Sequence, residues 1–387
     1  MDIQELDKTY IAGTYARFPF VAQSGSGAHV TGENGVICID LGSGIAVDSF
    51  GLCDSEWVKA VEAQLHKLQH FSNIFYTEPQ TKLAEMLCQR TGLRKVFFCN
   101  SGAEANECAI KCVRKYSFDK YGAGRYKIVT LQNSFHGRTM ATLAATGQKV
   151  LHPPCFGPYP DGFLYAPAND FEALAACCGE SVCGVMLELI QGEGGVLPLD
   201  RDYVQKVEKL CDERDILLII DEVQTGNGRT GSLYAWQQYG VEPDIMTTAK
   251  GLGGGLPIGA CLFGEKTAST LTPGTQGSTF GGNPVCCAGA LSILSRIDGT
   301  LLAEVRRKGA YIQDELTGAP GVRNVTGLGL MLGIETVKDA KDIAAACLKR
   351  GVVVLTAKEK VRLLPPLNIS WEDLRQAIQI LKGVIAE

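Results

Sequence analysis

Five consecutive apolar residues, Ile216-Leu217-Leu218-Ile219-Ile220, end on two carboxylates, Asp221 and Glu222. A strand with no polar face must be covered on both sides, as inner strands of a parallel sheet are. The surroundings agree. Asp202–Arg214 has helical spacing before this run, and Asp244–Thr248 reads as a further strand after it. The alternation extends over most of the chain from about residue 55. Trp57–His70 reads as a helix, Lys95–Cys99 as a strand and Ala103–Tyr116 as an alanine-rich helix, with strands again at Tyr126–Leu131 and Val182–Leu189. Strands alternating with helices predict an α/β fold with a mostly parallel central sheet. Such sheets bind ligands beyond the carboxyl ends of their strands, so the residues just after each apolar run are where chemistry is expected.

The texture changes after about residue 275. Val322–Ile334, Val352–Leu355 and Val361–Leu364 read as strands of a smaller α+β unit, closed by a helix over Trp371–Ile385 with Ser370 and Asp373 placed as a capping box. The N-terminal stretch has a hairpin signal near Val36–Leu41 and no partner nearby. The expected organisation is therefore an N-terminal segment (1–50) packing on the small domain, a large domain (51–275) and a small C-terminal domain (276–387). The 387 residues allow that many units.

Composition narrows the function. Lys and Arg number 37 against 42 Asp and Glu, a net charge of −5 with no basic block, which argues against nucleic acid and against anionic membrane. No apolar run approaches the roughly 20 residues of a membrane span. The acidic start Met1-Asp2-Ile3-Gln4-Glu5 lacks a signal-peptide pattern, so a cytoplasmic protein is expected. The 15 cysteines lie in apolar segments with no CxxC among them, and read as free buried thiols. His66 and His70 stand one helical turn apart without a third ligand, and no metal site is expected.

Four strand ends carry polar chemistry. Cys99-Asn100-Ser101-Gly102-Ala103 passes from strand to helix through small residues; it fits an anion site at a helix N-terminus or plain capping equally well, and it is neither a Walker loop nor GxGxxG. Asp221 and Glu222 could cap a turn or face a cationic ring nitrogen or a metal. Lys250 stands between an apolar strand and a glycine-rich stretch, with no acid among the five residues on either side. Desolvation there would lower its pKa and leave it nucleophilic. Phe135-His136-Gly137-Arg138 offers a flat ring and a guanidinium, for ligand stacking and carboxylate binding or for ordinary packing. A phosphate cradle, an acid, a reactive lysine and a stacking ring are together what pyridoxal 5′-phosphate needs.

Ser101-Gly102-Ala103-Glu104-Ala105-Asn106, Phe135-His136-Gly137-Arg138-Thr139, Asp221-Glu222-Val223-Gln224-Thr225-Gly226 and Thr248-Ala249-Lys250-Gly251 resemble the class III aminotransferases of fold type I, over essentially the whole chain. Ser43-Gly44-Ile45-Ala46-Val47, Ser72–Thr77 and Val361–Leu367 resemble, within that class, the acetylornithine aminotransferases. The resemblance implies a pyridoxal-phosphate-dependent transferase with Lys250 and Asp221 catalytic. Lys250 would bind the cofactor covalently and move a proton between it and the substrate, while Asp221 would face the pyridinium nitrogen. Phe135 would stack on the ring, Ser101, Gly102 and Ala103 would serve the phosphate, and Val223 and Gln224 would line the ring, with Gln224 at its hydroxyl. Thr279 would reach the phosphate of a neighbouring subunit, with Ser278 beside it near the substrate, so a homodimer is implied. Arg138 would bind a substrate carboxylate and Tyr15 would be a further substrate contact. Glu193 would pair with Arg362 and release it when glutamate binds. Asn227 departs from the pattern of the class, as does Leu189 after Glu188.

The expected activity is transfer of the ω-amino group of N-acetylornithine to 2-oxoglutarate in a ping-pong cycle, as in arginine biosynthesis. Succinylornithine, ornithine, succinyl-diaminopimelate and 4-aminobutyrate are alternative donors. A mutase or decarboxylase on the same fold would keep Lys250 and Asp221, and a non-enzymatic binding protein would have little need of either.

Overall fold

The computed structural model describes residues 2–387. Seven strands form one sheet in the order Lys95–Cys99, Gly259–Phe263, Ile245–Thr248, Leu217–Asp221, Val182–Leu187, Lys127–Leu131, Phe163–Ala166. Gly259–Phe263 runs antiparallel to both neighbours and the other six strands are mutually parallel. Every residue of Leu217–Asp221 is buried, as its sequence requires. Leu217 and Ile219 pack with Ala109, Val113 and Met186 beneath the helix Gly102–Tyr121. Leu218 and Ile220 point into the opposite core, with Val204, Val207 and Trp236. This is the period-two alternation of a strand covered on both faces.

A second core holds the four-stranded antiparallel sheet of Val322–Leu328, Met331–Thr336, Lys360–Leu363 and Leu355–Ala357, covered by helices Gly299–Leu316, Ala340–Lys349 and Trp371–Ala386. Ser370 caps the last of these, accepting from the Asp373 N–H at 2.9 Å. Ile37–Asp40 of the N-terminal sheet takes Val352–Val353 as a parallel neighbour.

Three elements differ from the sequence reading. Val322–Ile334 is a hairpin rather than one strand: Gly327, paired with Leu332 beside the turn, has φ +119°, and a Cβ there would fall 1.9 Å from the Met331 carbonyl oxygen, so only glycine fits at this position. Helix Ser55–Leu65 stops before His66 and His70. Helix Pro284–Arg296, expected in the C-terminal unit, packs instead with the large-body core through Cys287, Ala290, Ile293 and Leu294. Its apolar stripe shares that core with Leu83 and Leu87. No single helix among the described residues is long and apolar enough to cross a membrane.

Candidate active site

The strand ends converge on a cavity of about 450 Å³ lined by Gly102, Ala103, Asn106, Phe135, His136, Arg138, Glu188, Asp221, Val223, Gln224 and Lys250, among others. At one wall is the head of the 20-residue helix Gly102–Tyr121. Ser101 Oγ accepts from the Glu104 N–H at 3.2 Å, and Ala105 N–H bonds the Ser101 carbonyl at 3.1 Å. These bonds leave the Gly102 and Ala103 N–H groups without partners among the described residues. A long helix presenting two open donors to a cavity is an anion site.

Asp221 lies at the floor, 4% exposed. Its Oδ2 accepts from Asn106 Nδ2 at 2.7 Å and pairs with His136 Nδ1 at 2.8 Å, and its Oδ1 accepts from the Val223 N–H at 3.0 Å. Asn106 is itself fixed, accepting from Thr247 Oγ1 at 2.7 Å and donating to the His136 carbonyl at 2.8 Å. Burial disfavours the His136 imidazolium, but the Asp221 carboxylate outweighs it and holds the pKa above the ordinary imidazole value. Glu188 Oε2 accepts from the Phe135 N–H at 2.7 Å and so fixes the aromatic loop; burial pushes its carboxyl pKa up.

Lys250 follows the strand Ile245–Thr248 with a left-handed φ of +45°, a conformation that its surroundings must impose. Asn227 supplies part of that restraint, donating from Nδ2 to Thr248 Oγ1 at 3.0 Å and to the Ala249 carbonyl at 3.2 Å. Ser49 Oγ holds the Gly251 carbonyl at 3.0 Å from the other side. Ser49 follows a turn in which Ser43, Gly44, Ile45 and Ala46 all have positive φ, and Val47 from the same stretch lines the cavity. Burial pushes the Lys250 pKa down; Arg362 acts in the same direction, and Glu193, Asp221 and Glu188 oppose it.

At the edge of the site Arg362, 3% exposed, donates from Nη1 to Glu193 Oε1 at 2.5 Å. Burial works against the Glu193 carboxylate, yet the Arg362 charge and hydrogen bond bring its pKa below the usual range. Arg138 is exposed at the mouth, with its guanidinium 5.6 Å from the centre of the Phe135 ring. Ser278 Oγ accepts from Asn100 Nδ2 at 3.3 Å. Thr279 is exposed and outside the cavity, in a segment fastened by Asn73 Nδ2 to the carbonyls of Ser278 (3.0 Å) and Gly281 (2.8 Å). Tyr15 is not brought to the cavity. It lines a separate one with Phe18, Leu348 and Val353, because the N-terminal segment lies along the small body.

The sequence reading assigned no role to His136, Asn106, Thr247 or Glu188. Asn106 was within reach: it stands three residues after Ala103 on the helix face that meets the strand ends. Glu188 also follows an apolar strand. His136 carried no local signal, since its partner is 85 residues away in the chain.

Residues 10–385 match the family model for aminotransferase class-III, and the chain belongs to that family, whose members depend on pyridoxal phosphate. A curated acetylornithine aminotransferase of Haemophilus ducreyi is 52% identical over 388 residues, covering 100% of this chain and 98% of the relative. Its counterpart of that name in Methanocaldococcus jannaschii is 42% identical over 99% of this chain and 98% of the relative. Among solved structures, the N-acetylornithine aminotransferase of Stenotrophomonas maltophilia has a TM-score of 0.85 at 37% identity, covering 99% of this chain and 98% of that one. The ornithine aminotransferase of Toxoplasma gondii has a TM-score of 0.95 at 30% identity, covering 99% and 94%.

The cavity fits that cofactor. Two open N–H groups suit its phosphate, the Phe135 side chain suits a ring, Asp221 suits a protonated ring nitrogen, and a lysine of lowered pKa suits an aldehyde.

Proposed function

We propose that this chain transfers the ω-amino group of N-acetylornithine to 2-oxoglutarate, in the service of arginine biosynthesis. The observation that carries the reading is the closed Glu193–Arg362 pair beside the lysine pocket. An ω-amine donor presents an amine with its carboxylate remote. A free buried guanidinium near Lys250 would attract the wrong end of that molecule, and the paired one does not. Glutamate, by contrast, needs a cation close to the reacting carbon. Arg362 released from Glu193 supplies it, forking the α-carboxylate. Arg138, at the mouth, holds the distal carboxylate. Lys250 Nζ would take the proton from the substrate carbon, a role that its lowered pKa suits. Asp221, oriented by Asn106 and His136, would face the cofactor's ring nitrogen and favour its protonated form. Bound pyridoxal phosphate supplies the electron sink that stabilises negative charge at the substrate carbon.

A donor panel with 2-oxoglutarate as acceptor tests the reading. N-acetylornithine should have the highest kcat/KM among it, succinylornithine, ornithine, succinyl-diaminopimelate and 4-aminobutyrate. A stronger preference for another member would replace the donor, and the absence of glutamate formation with every donor would remove the reaction.

The same reading includes a cytoplasmic homodimer in which Thr279 serves the neighbouring phosphate. Its support is an exposed apolar patch of Phe71 (47%), Ile74 (83%), Phe75 (52%), Tyr76 (100%) and Phe280 (60%) around the Asn73-fastened segment. Sedimentation should give a dimer that Ile74→Asp weakens. A monomeric wild type would refute the assembly.

A further inference from the structure

We infer that Gln224 holds the Glu193–Arg362 pair closed and thereby sets how readily Arg362 passes to an incoming carboxylate; this rests on the exchange of partners proposed above. The amide of Gln224 touches both members. Arg362 Nη1 donates to Glu193 Oε1 at 2.5 Å and also to Gln224 Oε1 at 3.2 Å, while Gln224 Nε2 donates to that same Glu193 oxygen at 3.2 Å. The cluster is a closed ring of three side chains from three separate parts of the chain. Glu193 comes from the loop after Ile190–Gln191, Gln224 from the turn after Leu217–Asp221, and Arg362 from the strand Lys360–Leu363.

The backbone makes room for this arrangement. A Cβ on residue 192 would stand 2.4 Å from Gln224 Oε1, 2.6 Å from Cδ and 2.8 Å from Nε2. Gly192 is not among the residues with positive φ, so what the position requires is space for the amide rather than backbone freedom. A second observation concerns Arg362 itself. Its Nε is buried without a hydrogen-bond partner. The closed state therefore depends on Nη1, the nitrogen that Gln224 shares.

The direction of the effect follows. When a carboxylate forks Arg362, Gln224 Oε1 loses its donor while Nε2 can remain on Glu193. Deleting the amide thus weakens the closed state by one more hydrogen bond than the open one. At 3.2 Å that bond is at the long end of the range, so the change in carboxylate affinity should be about three- to tenfold. One N–H of Nε2 is not used in the ring of contacts and would remain for the cofactor's ring hydroxyl.

Glutarate, a dicarboxylate that cannot be transaminated, is the probe, titrated calorimetrically into the full-length holoenzyme. Gln224→Met and Gly192→Ala should each bind it about three- to tenfold more tightly than wild type, and Glu193→Ala at least as tightly. Steady-state kinetics should show KM for glutamate falling relative to KM for the ω-amine donor, beyond any change in kcat common to both. Should Gln224→Met fail to fold, Gly192→Ala still displaces the amide. Unchanged or weaker glutarate binding in the foldable variants, with Glu193→Ala still tightening it, would overturn the role of Gln224 and leave the exchange standing. If Glu193→Ala also fails to tighten binding, the exchange falls and this inference falls with it.

Discussion

His136 and Asp221 are joined by a 2.8 Å hydrogen bond between Nδ1 and Oδ2, with the two side chains 0% and 4% exposed. Asp221 raises the imidazole pKa above its ordinary 6.5 despite burial. A raised basic group contributes stability that is fully present below its unfolded pKa and is lost as pH rises through the folded one. The His136 ring should therefore titrate above 6.5 by NMR, and the stability that it adds should fade across the same window. His136→Leu, which leaves a buried carboxylate short of a partner, should cost on the order of 3 kcal/mol in denaturant unfolding near pH 6.

Lys250→Ala should fold and lose transamination, since no other lysine lines the cavity. Borohydride reduction of the wild-type holoenzyme, followed by peptide mapping, should place the cofactor on the peptide containing Lys250. A label on another lysine would reassign the nucleophile.

Glu193→Ala leaves Arg362 without its neutralising partner and should favour glutamate over the ω-amine donor. Arg362→Ala should slow chiefly the glutamate/2-oxoglutarate half-reaction, by roughly the 1.5–3 kcal/mol of a charged hydrogen bond. Single-turnover rates for each half separate the two effects. Equal slowing of both halves by both variants would make the pair structural.

Glu222, wholly buried beside Asp221, accepts from Thr225 Oγ1 at 2.5 Å and from the Trp236 N–H at 2.8 Å. Burial pushes its carboxyl pKa from 4.5 up to about 7. The folded chain then binds a proton that the unfolded chain releases, so stability falls as pH rises from 4.5 to about 7. The decline attributable to this group is on the order of 1–3 kcal/mol. Glu222→Gln should flatten it in urea unfolding series at pH 5 and pH 8; an equally steep decline in the variant would assign it elsewhere.

How much of this was legible in the chain depends on how far apart the partners are. Asp221, Lys250 and Gly102 could be found because each follows an apolar run, and the end of such a run is where a buried strand meets solvent. The Asn106–Asp221 contact spans 115 residues and the His136–Asp221 contact spans 85, so nothing local marks either partner of Asp221. The core that the helix Pro284–Arg296 joins was not marked in the chain either, for a related reason. Its apolar face suits any core, and only the surfaces of Leu83 and Leu87 decide which one it joins. The Gln224 ring of contacts needs a third strand, Lys360–Leu363, brought alongside two loops, and no spacing rule predicts that.

The antiparallel strand Gly259–Phe263 sits between Ile245–Thr248 and Lys95–Cys99 and separates the two halves of the site. Synthesis proceeds from the N-terminus, so the helix head at Gly102 leaves the ribosome long before the segment that carries Lys250. Even when Lys250 has emerged, the sheet has a gap until residues 259–263 follow and bridge it. Closure of the site around Lys250 thus waits on residues 259–263, which link the strand that leads to the lysine with the strand that leads to Gly102.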